Sequence, residues 1–229
     1  WREVILLTAG MLPSADRLLE QMKQQIDALV LGEEKLQQLL SSIERKISGL
    51  DFSYRIEAVR AFYLGLYKNR DLNLAVSIDN KMANNLDTEL SLDLALTRAL
   101  ELGLSLTEAP ELKQILNFSF AMDFERSYQL KPELADAIKE LKELLPEAVL
   151  GKEGLQTWWQ SKGQNWVANF RKAIIEHRCI GYDWDFNQQQ QELLWKYYNA
   201  NQFLVECLDS DFQINMTTKT AIETTILQV

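Results

Sequence analysis

The sequence predicts an all-α fold, a helical array or bundle of antiparallel helix pairs with about nine to eleven helices. Three observations predict it. Leucine-rich apolar stripes recur at spacings of three and four through most of the 229 residues. The breaks between stripes are short and carry the Pro, Gly, Ser, Asp or Asn that stop and start helices. The one stretch that alternates like a strand, 71–106, carries little of the β-branched and aromatic enrichment of strands.

The opening string WREVILLTAGML begins on Trp and sets Val4, Ile5, Leu6 and Leu7 in mid-pattern. Residues 1–12 are therefore expected to be the end of a preceding helical array, and residues 13–229 a single C-terminal helical domain with a subdivision point near 150. Pro13-Ser14 offers a stop and an N-cap for a helix carrying Leu18, Leu19, Met22, Ile26, Leu29 and Val30, which runs to Gly32. A second stripe, Leu36, Leu39, Leu40, Ile43 and Ile47, ends at Gly49, and the short turn between the two predicts an antiparallel hairpin. Asp51 or Ser53 is expected to cap a third helix with Arg55, Val59, Phe62 and Leu66 on its stripe.

Residues 71–106 alternate Leu with polar residues in places, which on its own reads as strand. Their Leu, Ala and Glu content favours helix, and the likeness of DLNLAVSID to LSLDLALTRALELGLSL predicts repetition of a helix pair. Ser105 or Thr107 is expected to cap the next helix, with Leu112, Ile115, Leu116, Phe120 and Phe124 buried. Pro132 stands at a first-turn position, ahead of Leu134, Ile138, Leu141 and Leu145 and the closing Pro146. Aromatic residues then become dense, from Trp158 to Tyr198. Gly163 is expected to break a helix, after which Trp166, Phe170, Ile174 and His177 share a face. Asn187 and Gln190 have capping-box spacing before a last long stripe of Leu194, Tyr198, Asn201, Val205 and Leu208.

Composition narrows the function classes. Asp and Glu outnumber Lys and Arg by 33 to 24, giving a net charge of −9, and such a field opposes nucleic-acid binding, which rests largely on phosphate contact. Cys179 and Cys207 form no CxxC or Cys/His cluster, and two buried thiols in a reducing compartment are expected. No run of eighteen apolar residues is present to span a bilayer, so no membrane partner and a cytoplasmic protein are expected.

Catalytic constellations are incomplete. The nearest string to a phosphate loop, Gly151-Lys152-Glu153, lacks the upstream glycine and the hydroxyl residue, and its glutamate repels phosphate. Asp183 and Asp185 flank Trp184, and Asp209 and Asp211 flank Ser210, at helix boundaries where Asp serves caps and turns; metal binding is the alternative. His177 is the sole histidine, so zinc sites built on several imidazoles are excluded. Arg171, five residues, then His177 fits the loose Arg-x4–6-His pattern of HEPN ribonucleases, in which such a pair acts across a dimer. On one continuous helix the two side chains would point about 120° apart. The expectation is a chain with no catalytic residue, cofactor or metal, with Arg171, His177, Asp183 and Asp185 as its only site candidates.

Four ordered strings, WREVILLTAGML, RAFYLGL, TWWQSKGQNWVANFRKAII and IGYDWDFNQQQQELLWKYYNANQFLVECL, resemble the C-terminal helical region of bacterial, especially cyanobacterial, NACHT-domain proteins. These are STAND-type signalling NTPases of conflict and antiviral defence. The resemblance implies a non-catalytic sensor or autoinhibitory module whose partners are the upstream NACHT and helical modules of its own polypeptide and an unidentified trigger ligand, a protein among the candidates. The rival readings are a HEPN-like ribonuclease using Arg171 and His177, and a purely structural helical scaffold.

Overall fold

The computed structural model describes residues 2–108, 110–124, 128–146 and 150–228, without the side chains of Arg2, Ile5, Leu112, Leu116, Ser119 and Phe120. Among the described residues there are twelve helices and no strand, one helix more than the upper expectation. They divide into two compact units. Residues 1–86 and 184–229 form one, and residues 87–183 form the other.

The first unit holds α1 (Arg2–Gly10), α2 (Asp16–Ala28), α3 (Glu34–Ile47), α4 (Ile56–Tyr67), α5 (Asn73–Ile78), α6 (Lys81–Asn84), α11 (Gln188–Leu208) and α12 (Met216–Thr224). Helix α4 is its centre, since every residue from Glu57 to Leu66 is buried, as expected of a helix apolar nearly all round. It packs on α3, α5 and α12, while α11 packs on α2 and α5. The stripe Leu36, Leu39, Leu40, Ile43 and Ile47 is buried in full, and so is Leu194, Tyr198, Asn201, Val205 and Leu208. Asn201 donates from Nδ2 to the Tyr197 carbonyl at 2.9 Å, so half of its amide is satisfied by the preceding turn.

The second unit holds α7 (Thr88–Glu108), α8 (Leu112–Ala121), α9 (Pro132–Glu143) and α10. Helix α10 is composite. It runs through Gly151–Trp158, a π-helical turn Trp159–Gly163, and Gln164–Arg178. It packs on α9, α7 and α8. Its core is aromatic: Trp159 and Trp166 meet Phe118 edge to face with ring centroids 5.2 Å apart, and Trp166 stacks on Phe170 at 5.5 Å.

Residues 71–106 are helical as expected, but as six-residue α5, four-residue α6 and 21-residue α7 rather than a repeated pair. Gly163 does not break its helix. A Cβ there would lie 2.6 Å from Cε3 of Trp159, so glycine makes room for the buried indole and the chain continues through a π turn. Several caps also differ from expectation. Ser14 bonds to Asp16 two residues on, and Ala15 holds the N-cap position of α2. Neither Asp51 nor Ser53 caps α4. Arg55 precedes α4 in extended conformation, and its backbone N–H donates to Oδ2 of Asp79 at 3.1 Å, a partner 24 residues away. Ser105 and Thr107 lie inside α7 and bond back to the carbonyls of Leu102 and Leu104. In the stripe after residue 110, Ile115 and Phe124 are buried, and the side chains of Leu112, Leu116 and Phe120 lie outside the described residues. The capping box is present as read: Gln190 N–H donates to Oδ1 of Asn187 at 2.9 Å, and Asn187 N–H to Oε1 of Gln190 at 3.2 Å.

Candidate interaction surfaces

Each sequence-derived candidate has a separate setting. Arg171 donates from Nη1 to Oδ2 of Asp183 at 2.9 Å, which fastens the segment after α10 to the helix face. Asp183 is exposed, so this pair contributes little on its own. His177, six residues on, is half-buried in a small cavity with Glu89, Leu92, Lys131, Glu133 and Leu134. Arg171 and His177 sit in one regular α segment, whose period points them apart by about 120°. Asp185 adopts φ +45°, and its backbone carbonyl accepts from Nζ of Lys35 at 2.7 Å. Among the described residues no group of three His, Cys, Asp or Glu side chains has metal-binding geometry.

The residues that carry the strongest local electrostatics lie elsewhere. Arg178, the last residue of α10, is buried and reaches α7 with Nε 2.6 Å from Oδ1 of the fully buried Asp93. Its Nη1 lies 2.8 Å from Oε2 of Glu89. Burial opposes the guanidinium charge, yet the two carboxylates more than offset this and raise its pKa above the ordinary value. The sign in the sequence was an acidic residue on an otherwise apolar stripe, LSLDLAL, which needs a cation once the stripe is buried.

In the first unit, Lys68 follows α4 and is buried against α11. Its Nζ lies 3.6 Å from the Tyr198 ring centroid and 3.8 Å from that of Trp195, and it donates to Oδ2 of Asp71 at 2.9 Å. Burial works against the Asp71 carboxylate, but hydrogen bonds from Lys68 and from the Asn73 backbone hold its pKa below the ordinary carboxylate range. The Tyr198 hydroxyl accepts from Leu74 N–H at 3.0 Å and donates to Asp71. Burial, first of all, pushes the Tyr198 pKa up. The outer wall of this cage is Trp195, 51% exposed, while Tyr67 and Trp184 meet edge to face at 6.5 Å and Trp184 stacks on Phe186 at 6.3 Å. Half-exposed aromatics on a rigid support have the composition of a protein-binding surface. The sequence showed the aromatic density but not Lys68, which is 127 residues or more from its ring partners.

A second surface is α1. Val4, Leu7 and Met11 follow one helical face and its extension, and they are 54%, 70% and 85% exposed. Val4 and Leu7 on one face of α1, with Met11 in the turn that follows it, form a patch of the kind that marks interaction sites. Among the described residues no helix is long and apolar enough to cross a membrane.

Neither a curated protein nor a solved structure matches this chain. A family model does, over residues 134–229, which take in most of α9 and all of α10, α11 and α12. The matching model is described as NACHT C-terminal Helical domain 2, and residues 134–229 are similar to it.

Proposed function

We infer that this chain is a non-catalytic sensor or autoinhibitory module of a NACHT-type STAND NTPase in bacterial signalling and antiviral defence. The observation that carries the reading is the match of residues 134–229 to a NACHT C-terminal helical domain, an accessory module that belongs with NACHT modules in a larger polypeptide. The physical logic is a two-state switch. A helical module biases the nucleotide-driven switch only to the extent that it binds one state better than the other, and a trigger acts by changing that difference.

Two surfaces support the reading. The apolar face of α1 suits packing against another helix of the same polypeptide, so that residues 1–12 act as the end of a preceding array. The Trp195 surface suits a protein partner. In this account Arg171 and Asp183 hold the end of α10 to the segment that follows, His177 and Asp185 serve local structure, the chain itself needs no cofactor or metal, and it works in the cytoplasm.

The experiment compares ATP turnover by the full-length protein with that of a version lacking residues 1–229. An autoinhibitory module predicts faster basal turnover after removal, and a sensor predicts loss of the response to the trigger. Unchanged basal turnover with the response intact would remove both.

A further inference from the structure

We propose that the open cleft formed by residues 53–54 and 80–85 is a binding site for an extended, acidic peptide segment. The cleft has a volume of about 580 Å³ and is lined by Ser53, Tyr54, Asn80, Lys81, Asn84 and Asn85. That size falls in the range of clefts that hold small ligands and short peptides.

Its walls are fixed from behind. Buried Asp79 accepts from the backbone N–H of Arg55 and of Lys81, each at 3.1 Å, and so ties the segment before α4 to the start of α6. The Tyr54 hydroxyl donates to the Asn85 carbonyl at 2.5 Å and joins the same two walls a second time. Rigid walls lower the ordering cost of binding.

The recognition groups are not spent on this scaffold. Among the described residues the side chains of Ser53, Asn80, Lys81, Asn84 and Asn85 take no hydrogen bond or ion pair. Each asparagine amide presents one acceptor and two donors, the complement of a peptide group. Asn80 and Asn84 stand one helical turn apart, a rise of about 6 Å. An extended chain presents its same-side groups every two residues, about 6.7 Å apart. Two side-chain amides at that interval can therefore engage successive same-side peptide groups, and Asn85, itself in extended conformation, continues the line. Lys81 is the charged residue of the lining and favours a carboxylate on the bound segment.

The site lies wholly within the first unit and does not depend on how the module regulates ATP turnover, so the two ideas fail separately. The test is a 15N NMR titration of the chain with three probes: Ac-(Glu-Ser)3-NH2, Ac-(Lys-Ser)3-NH2 and maltohexaose. We expect saturable shifts confined to residues 53–54 and 80–85 with the glutamate peptide, with Kd on the order of 0.1–1 mM. The double variant Asn80→Ala/Asn84→Ala should weaken binding about tenfold, and Lys81→Glu should transfer the preference to the lysine peptide. These positions are exposed, and an unchanged amide spectrum in the absence of probe verifies that each variant folds. No shifts up to about 10 mM peptide, shifts centred elsewhere, binding indifferent to the double variant, or tighter binding of maltohexaose would each overturn the assignment.

Discussion

Replacing Arg178 with Met removes a buried cation and keeps most of the side-chain stem. Its two carboxylate partners differ sharply in setting: Asp93 is fully buried, whereas the Glu89 side chain is 42% exposed. Taking away one partner of a buried pair leaves the other charge without compensation and costs about 3–5 kcal/mol. The Glu89 contact, largely screened by water, contributes about 0–1 kcal/mol. Nearly all of the loss is therefore assigned to Asp93. For a chain of this size about 1 kcal/mol corresponds to roughly 2–4 °C in Tm, so Arg178→Met should lower the midpoint by about 6–20 °C. The assay is a double-mutant cycle in urea, read by near-UV circular dichroism of the tryptophans of α10, Trp158, Trp159 and Trp166. Arg178→Met and Asp93→Leu should each be strongly destabilising. The double variant should recover most of the loss, because a buried ion pair exchanged for apolar groups is close to neutral. Glu89→Gln should change stability by no more than about 1 kcal/mol. Single variants within about 1 kcal/mol of the parent, or a double variant whose loss equals the sum of the two, would refute the assignment.

Three other predictions follow from single residues. Gly163→Ala should destabilise, by about 1–3 kcal/mol, although helix propensity alone favours alanine by about 1 kcal/mol, because the new Cβ meets the Trp159 ring at 2.6 Å; thermal melts give the sign. Asn187→Ala should cost about 1 kcal/mol through loss of the capping box, and Asn187→Asp only a fraction of that, measured by urea midpoints. Asp71 has its folded pKa below the ordinary value, so its stabilising contribution is complete above the unfolded pKa, about 3.9, and is lost as pH falls through the lower folded value. Asp71→Asn should flatten the acid limb of a stability-versus-pH profile in that window, and an unaltered slope would count against the Lys68–Asp71 contact.

The helices that depend on their own residues were legible from the sequence. The stripes of α3 and α11 and the capping box at Asn187 are local patterns, and each is found where the spacing puts it. What sequence reading missed depends on partners far along the chain. The N-terminus of α4 is satisfied by Asp79, which no local cap pattern reveals. Gly163 reads as a helix breaker until the Trp159 ring beside it is seen. Lys68 became notable only when α11 brought Trp195 and Tyr198 to it. The boundaries of the two units, 86–87 and 183–184, fall in the connectors 85–87 and 179–187, which are not Pro- or Gly-rich. The four site candidates were found by residue type and spacing, and the structure gives Arg171 and His177 different neighbours.

The proposed role predicts that the outward apolar face of α1 docks on another part of a larger NACHT polypeptide. Amide hydrogen–deuterium exchange across Arg2–Gly10, compared between the separate 229-residue chain and the full-length protein, tests this most directly. Docking predicts fast exchange in the separate chain and strong protection in the full-length protein, with protection lost on Leu7→Glu. Equal exchange in both, unaffected by that substitution, would contradict it.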